Sequence, residues 1–99
     1  MTSSATETAV PVATGAVVTE DALIVDLSDG RTLSVPLDWY PRLLHATPEE
    51  RGNWRLGAGG EGLHWPDVDE DISVAGLLAG RPSGESAASL QRWLAARKA

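Results

Sequence analysis

This 99-residue chain lacks cysteine and phenylalanine, and its basic residues are scarce. Without cysteine it has no disulfide, no thiolate metal site and no cysteine nucleophile. Eight Lys and Arg residues stand against 14 Asp and Glu residues, which gives a formal net charge of −6. Because nucleic-acid binding relies on clustered Lys and Arg, direct binding to DNA is disfavoured.

Long apolar runs are also missing. No run approaches the length of a membrane span, and the N-terminus lacks the basic and apolar regions of a signal peptide. Together with the absence of cysteine, this predicts a cytoplasmic protein that makes no membrane contact. A hydrophobic content of 42% and a charged content of 22% are ordinary for a globular protein, and the length fits one domain.

The composition divides the chain into three segments. Residues 1–14 are small and polar with no helical or strand period, which predicts a disordered tail. Residues 15–80 carry the strand and helix patterns of a folded domain. Residues 81–99 combine a linker rich in Pro, Gly and Ser with a final helix that we expect from about Gly84 to Lys98.

Short apolar segments between turn signals predict strands near residues 16–18, 22–27, 32–35, 54–56 and 63–65. The loop between the second and third of these predicted strands contains Asp-Gly, which is typical of a primed hairpin turn with Gly30 at positive φ.

Between these strands, Pro41 opens one short helix, a capping box from Thr47 to Glu50 opens another, and Ser73 caps a third. Because hairpins rather than crossovers join the strands, we expect an α+β fold. It is a small, mainly antiparallel sheet with short helices on one face and a C-terminal helix.

Two motifs match functional signatures only by letter. Residues 57–62 read G-x-G-x-x-G, but a strand follows them where a dinucleotide site needs a helix. Residues 67–71 begin like a calcium loop, but its sixth and twelfth positions hold Ile72 and Leu78. We therefore predict an acidic loop at 67–71, no enzyme activity, no cofactor and no metal site. Weak cation binding by His64 and the acids is the alternative.

The aromatic composition is the unusual feature, with four Trp, one Tyr and no Phe. Trp, Tyr and Arg are enriched in the energetic centres of protein interfaces. Our candidate partner-binding residues are Trp39, Tyr40, Arg42, Arg51, Trp54, His64 and Trp65. The alternative is that the tryptophans belong to the core and that Arg42 pairs with a carboxylate of the acidic loop.

Several segments, in order and at matching spacing, resemble the bacterial domain-of-unknown-function family 2442. They are DGR at 29–31, VPLDWYPRL at 35–43, RGNW at 51–54, GLHWPDVDEDIS at 62–73 and GLLAG at 76–80. The resemblance implies a small α+β domain, often encoded beside a small partner protein in a toxin–antitoxin-like arrangement. Some members carry a DNA-binding helix-turn-helix after the domain. Here only one helix is predicted after Gly80, which is too few for that motif.

These observations favour a non-enzymatic protein-binding module, such as the antitoxin or accessory half of a bacterial two-gene system. Its partner would be the product of a neighbouring gene. The alternative is a nucleic-acid-associated transcriptional regulator that uses Arg92, Arg97 and Lys98, and self-association is left open.

Overall fold

The computed structural model of the protein describes residues 10–98. Within that range the strands are β1 (Ala13–Val18), β2 (Ala22–Leu27), β3 (Thr32–Pro36), β4 (Arg55–Gly57), β5 (Gly62–Trp65) and β6 (Glu70–Ser73). The helices are α1 (Pro41–Leu44), α2 (Pro48–Gly52), α3 (Val74–Leu78) and α4 (Ala87–Lys98), with single 3-10 turns at Leu37–Trp39 and Ala58–Gly60. None of these helices is long and apolar enough to cross a membrane.

The strands form two antiparallel sheets of three, in the orders β1–β2–β3 and β4–β5–β6. The predicted α+β class, hairpin construction and C-terminal helix are confirmed, but the single expected sheet is two. Pro36 ends β3 and has no amide hydrogen to offer to a further strand.

The inner faces of the two sheets share one core. In β2, Leu23, Val25 and Leu27 alternate inward and are buried, as expected for a strand with one covered face. From the second sheet, Leu63 and Trp65 enter the same cluster. One continuous core therefore makes the two sheets a single folding unit.

The hairpin between β2 and β3 was predicted in position but not in type. Gly30 has φ of +94°, as expected, yet Asp29 does not share the positive φ that a type I′ turn requires. The amide of Gly30 donates to Leu27 O at 3.1 Å, and the amide of Leu27 donates to Arg31 O at 2.8 Å. This is a three-residue loop with its glycine in the left-handed region.

Two segments that were predicted to be irregular belong to strands. Ala13 and Thr14 belong to β1 rather than to a tail, and Ala13 is buried; residues 1–9 of the predicted tail lie outside the described residues. Glu70 and Asp71 belong to β6 rather than to an acidic loop. The charges hide a strand pattern, because Ile72 points into the core while Asp71 lies exposed.

The predicted caps are confirmed. Thr47 Oγ1 accepts from the Glu50 amide and Glu50 Oε1 accepts from the Thr47 amide, which completes the capping box of α2. Ser73 caps α3. The final helix begins at Ala87, later than the predicted Gly84, because the Ser86 hydroxyl caps it by accepting from the Ser89 amide.

We expect Gly30→Ala to lower the free energy of unfolding by about 1 kcal/mol, since no heavy atom lies within 4 Å of the added Cβ and only backbone strain opposes it. Thermal unfolding should show a melting temperature lower by about 4–8 °C. Gly30→Asn should lose less, because Asn tolerates the left-handed region. The control, Gly52→Ala in α2, should be neutral or stabilising. Equal melting temperatures for Gly30→Ala and wild type would contradict this assignment.

Candidate functional site

The structure does not gather the seven candidate partner-binding residues on one exposed surface. Trp65 and Tyr40 are buried, with 0% and 4% of their surface exposed. Trp39 and Trp54 are half-buried and pack against the core. The indole of Trp65 donates to Arg51 O at 3.0 Å, so this tryptophan is a core residue with its polar group satisfied.

Arg51 and His64 also form hydrogen bonds within the chain. The Arg51 guanidinium donates to Leu43 O at 3.0 Å and to Leu44 O at 2.9 Å, and thereby caps the carbonyl end of α1. His64 lies opposite Asp71 across β5 and β6, with 2.7 Å between Nδ1 and Oδ1. Of the seven residues, Arg42 makes the most extensive connection to another part of the chain.

Arg42, in α1, donates hydrogen bonds from all three guanidinium nitrogens to two partners. Its Nε and Nη2 donate to both carboxylate oxygens of Glu85 at 2.7–3.0 Å, and its Nη1 donates to Val68 O at 3.1 Å. The side chains of Arg42 and Glu85 are only 17% and 9% exposed. The expected carboxylate from residues 67–71 was therefore wrong: that turn supplies a backbone carbonyl, and the carboxylate comes from just before α4.

The ring of Trp93 in α4 lies close to two guanidinium groups. The Cζ of Arg42 is 5.2 Å from the ring centroid and the Cζ of Arg97 is 4.6 Å from it. Both distances are within the range of a cation–π interaction. Trp93 is not among the predicted site residues because the contact joins segments 51 positions apart.

Arg97 also forms an ion pair, with Glu50 of α2. It donates to Glu50 Oε1 at 2.7 Å and to Oε2 at 3.1 Å. This bond, together with that from the Thr47 amide, holds the pKa of Glu50 below its usual value. The capping carboxylate of α2 therefore also fixes α4. Arg97, one of the residues of the nucleic-acid alternative, is thus paired with Glu50.

These contacts define two sets of groups. We call the groups of the domain the seat; they are the Arg42 guanidinium, the Val68 carbonyl and the Glu50 carboxylate. We call the groups of the C-terminal segment the ridge; they are Glu85, Ser89, Trp93 and Arg97. The ridge residues are spaced by four, and the Ser89 hydroxyl donates to Glu85 Oε2 at 2.8 Å. In α4, a spacing of four places Ser89, Trp93 and Arg97 along one row of the helix surface, and Glu85 lies just before the helix begins.

The residues between α3 and α4, which we call the connector, are hydrogen-bonded to the residues just before α1. The Ser83 amide donates to Trp39 O at 2.9 Å, and the Tyr40 hydroxyl donates to Arg81 O at 3.3 Å. Beside it lies a crevice of about 280 Å³ lined by Tyr40, Arg81 and Glu70. Burial, and secondarily the charge of Glu85, raise the pKa of Glu70 to about 7.

Within residues 10–98, no group of three or more His, Cys, Asp or Glu side chains is placed to hold a metal ion. Arg92, which the nucleic-acid alternative also uses, is exposed on α4. The side chain of Lys98 lies outside the described residues.

Comparison with known proteins gives a family but no activity. A family model described as "Protein of unknown function (DUF2442)" matches residues 13–83. A crystal structure of a protein of unknown function from Rhodospirillum rubrum is 30% identical, with a TM-score of 0.67, and the match covers 78% of this chain and 95% of that one. An NMR structure of an uncharacterised protein from Chromobacterium violaceum is 25% identical, with a TM-score of 0.63 and coverage of 82% and 74%. No curated protein matches the chain.

The raised pKa of Glu70 predicts a pH effect on stability. Between pH 4.5 and 7, the unfolded chain releases a proton that the folded chain retains, so this group lowers the free energy of unfolding as pH rises. The shift corresponds to at most about 3 kcal/mol, which solvent screening of a half-buried group reduces to about 1–2 kcal/mol. Glu70→Gln should remove this loss.

Urea unfolding of wild type and Glu70→Gln at pH 4 and pH 8 measures the effect. The variant should match wild type at pH 4 and exceed it at pH 8. Glu20→Gln, in the exposed turn between β1 and β2, is the matched control for the loss of one carboxylate. A difference in the free energy of unfolding between Glu70→Gln and wild type that is the same at pH 4 and pH 8 would contradict the raised pKa of Glu70.

Proposed function

We propose that this chain, which belongs to the DUF2442 family, is a non-enzymatic protein-binding module. In this proposal it is the antitoxin or accessory half of a bacterial two-gene system and acts in the cytoplasm. The observation that carries the proposal is the helix held on α1 and α2 through the stack of Arg42, Trp93 and Arg97. A surface that holds one helix in this way offers the same groups to a partner.

The composition of this contact supports the proposal. Trp and Arg are the residues most enriched at the energetic centres of protein interfaces, where contact with water is excluded around them. Here the pair of Arg42 and Glu85 is largely buried and Trp93 is half-buried. The contact between the seat and α4 therefore resembles an interface between proteins.

Charge suggests the class of partner. The formal net charge of −6 favours encounter with a basic protein, because complementary charge raises the association rate. At the seat itself, Arg42 requires an acceptor, so the partner would present a carboxylate there. We take the partner to be the product of a neighbouring gene, as the two-gene arrangement of the family suggests.

Such a partner must compete with α4. While α4 occupies the seat, the affinity for any other occupant is reduced by the fraction of molecules whose seat is free. A variant that loosens α4 without altering the seat should therefore bind the partner more tightly. Trp93→Ala meets this condition, because Trp93 belongs to the ridge and the seat remains intact.

The test is calorimetric titration of the purified neighbouring gene product into the full chain and its variants. Trp93→Ala should bind more tightly than wild type. The double variant Arg42→Ala/Trp93→Ala should bind more weakly than Trp93→Ala by about 2 kcal/mol or more, roughly 30-fold. Since α4 is loosened in both, this ratio isolates the contact of Arg42 with the partner.

Arg31→Ala/Trp93→Ala is the matched control, because Arg31 pairs with Asp29 in an exposed turn outside the seat. It should bind as Trp93→Ala does. Absence of a complex with every form of the chain would contradict the proposed function. Weaker binding by Trp93→Ala than by wild type would instead place α4 within the interface and contradict the seat as the binding surface.

A further inference from the structure

We propose that α4 is an exchangeable ligand of the seat, and that the seat of one copy of this chain accepts α4 of a second copy in a reciprocal dimer. The inference concerns the same seat as the proposed function, but it requires no other protein. It names the sequence that the seat recognises: an acidic residue, a hydroxyl residue, Trp and Arg at intervals of four. Glu85, Ser89, Trp93 and Arg97 meet this description.

The first argument is how the groups are distributed along the chain. Arg42, Glu50 and Val68 of the seat all precede Ser83, whose amide still bonds the domain at Trp39 O. The ridge begins at Glu85, after Gly84. The residues matched by the family model also end at Ser83. Rotation about the backbone near Gly84 therefore moves the whole ridge and leaves the whole seat behind.

Gly84 is suited to be that hinge. It is exposed, and an added Cβ would meet no heavy atom within 4 Å. Glycine also offers the widest choice of backbone angles. Short hinges before a docked terminal element are the usual setting for exchange between copies.

The second argument is that an empty seat is costly. Arg42 is 17% exposed, and its Nε and Nη2 both bond Glu85. If α4 leaves, this guanidinium loses its carboxylate and its ring contact. The α4 helix of a second copy supplies the same groups with the same geometry, because the ridge is identical in every copy.

The concentration dependence follows from tethering. A short connection gives the tethered α4 an effective concentration of about 1 mM at its own seat. Wild-type chain at micromolar concentration should therefore be closed on itself. Exchange becomes dominant when pairing within one chain is blocked and pairing between two chains is permitted.

Charge reversal at Arg42 and Glu85 blocks pairing within one chain and permits pairing between two chains. Arg42→Glu places a carboxylate opposite its own Glu85, and Glu85→Arg places a guanidinium opposite its own Arg42. In each single variant, the two like charges therefore repel each other and weaken the binding of α4 to its own seat. In an equimolar mixture, each seat is complementary to the α4 segment of the other variant, and two opposite-charge pairs form in one reciprocal dimer.

Light scattering coupled to size exclusion measures the outcome on full-length chains. Each single variant should be a monomer at about 100 μM, well below the effective concentration of tethering, and the mixture should show twice the monomer mass. The chain that carries both reversals should be a monomer, because the pair is restored within it. A mixture of Arg31→Glu and Asp29→Arg, which reverses an exposed ion pair, should also remain monomeric.

A mixture of Arg42→Glu and Glu85→Arg that stays monomeric would overturn the proposal, as would equal dimerisation of the Arg31→Glu and Asp29→Arg mixture. If a single variant does not fold alone, the two are co-expressed. Recovery of a folded 1:1 complex supports exchange, and failure of the pair to fold, while the doubly reversed chain folds, contradicts it. Because only this chain is present, failure here leaves the titration with the neighbouring gene product as a separate test.

Discussion

The guanidinium of Arg42 is the group on which the arrangement of the C-terminal segment depends. A charge with 17% of its side chain exposed is stable only when its donors are satisfied and a counter-charge is close. Glu85 supplies the counter-charge, the Val68 carbonyl accepts a further hydrogen bond, and Trp93 covers the guanidinium with its ring. These requirements fix the turn before β6, the connector and α4 relative to α1.

A second set of polar contacts organises the domain beneath. Trp65 fills the core and donates to Arg51 O, while the Arg51 side chain caps the carbonyl end of α1. Phenylalanine would fill similar space but would leave the Arg51 carbonyl without this donor. The preference for Trp over Phe therefore has a structural reason at position 65, and it does not by itself indicate a binding surface.

The features that follow from neighbouring residues could be predicted. The Asp-Gly hairpin, the capping box at Thr47 and the Ser73 cap depend on groups within a few positions of one another. The pairing of Arg42 with Glu85 spans 43 positions, so sequence alone placed the carboxylate on the wrong segment. β6 was missed because its two acidic residues, Glu70 and Asp71, resemble a solvated loop. The spacing of four from Glu85 to Arg97 was visible in the sequence, but its meaning required the position of α4.

The central claim is that the bond between Arg42 and Glu85 joins the domain to its C-terminal helix. A double-mutant cycle with Arg42→Ala, Glu85→Ala and the double variant, followed by urea unfolding, measures the coupling of the two side chains directly. The account predicts a coupling of about 1–3 kcal/mol, as expected for a bidentate and largely buried ion pair. A coupling below about 0.5 kcal/mol, typical of an exposed pair, would contradict it.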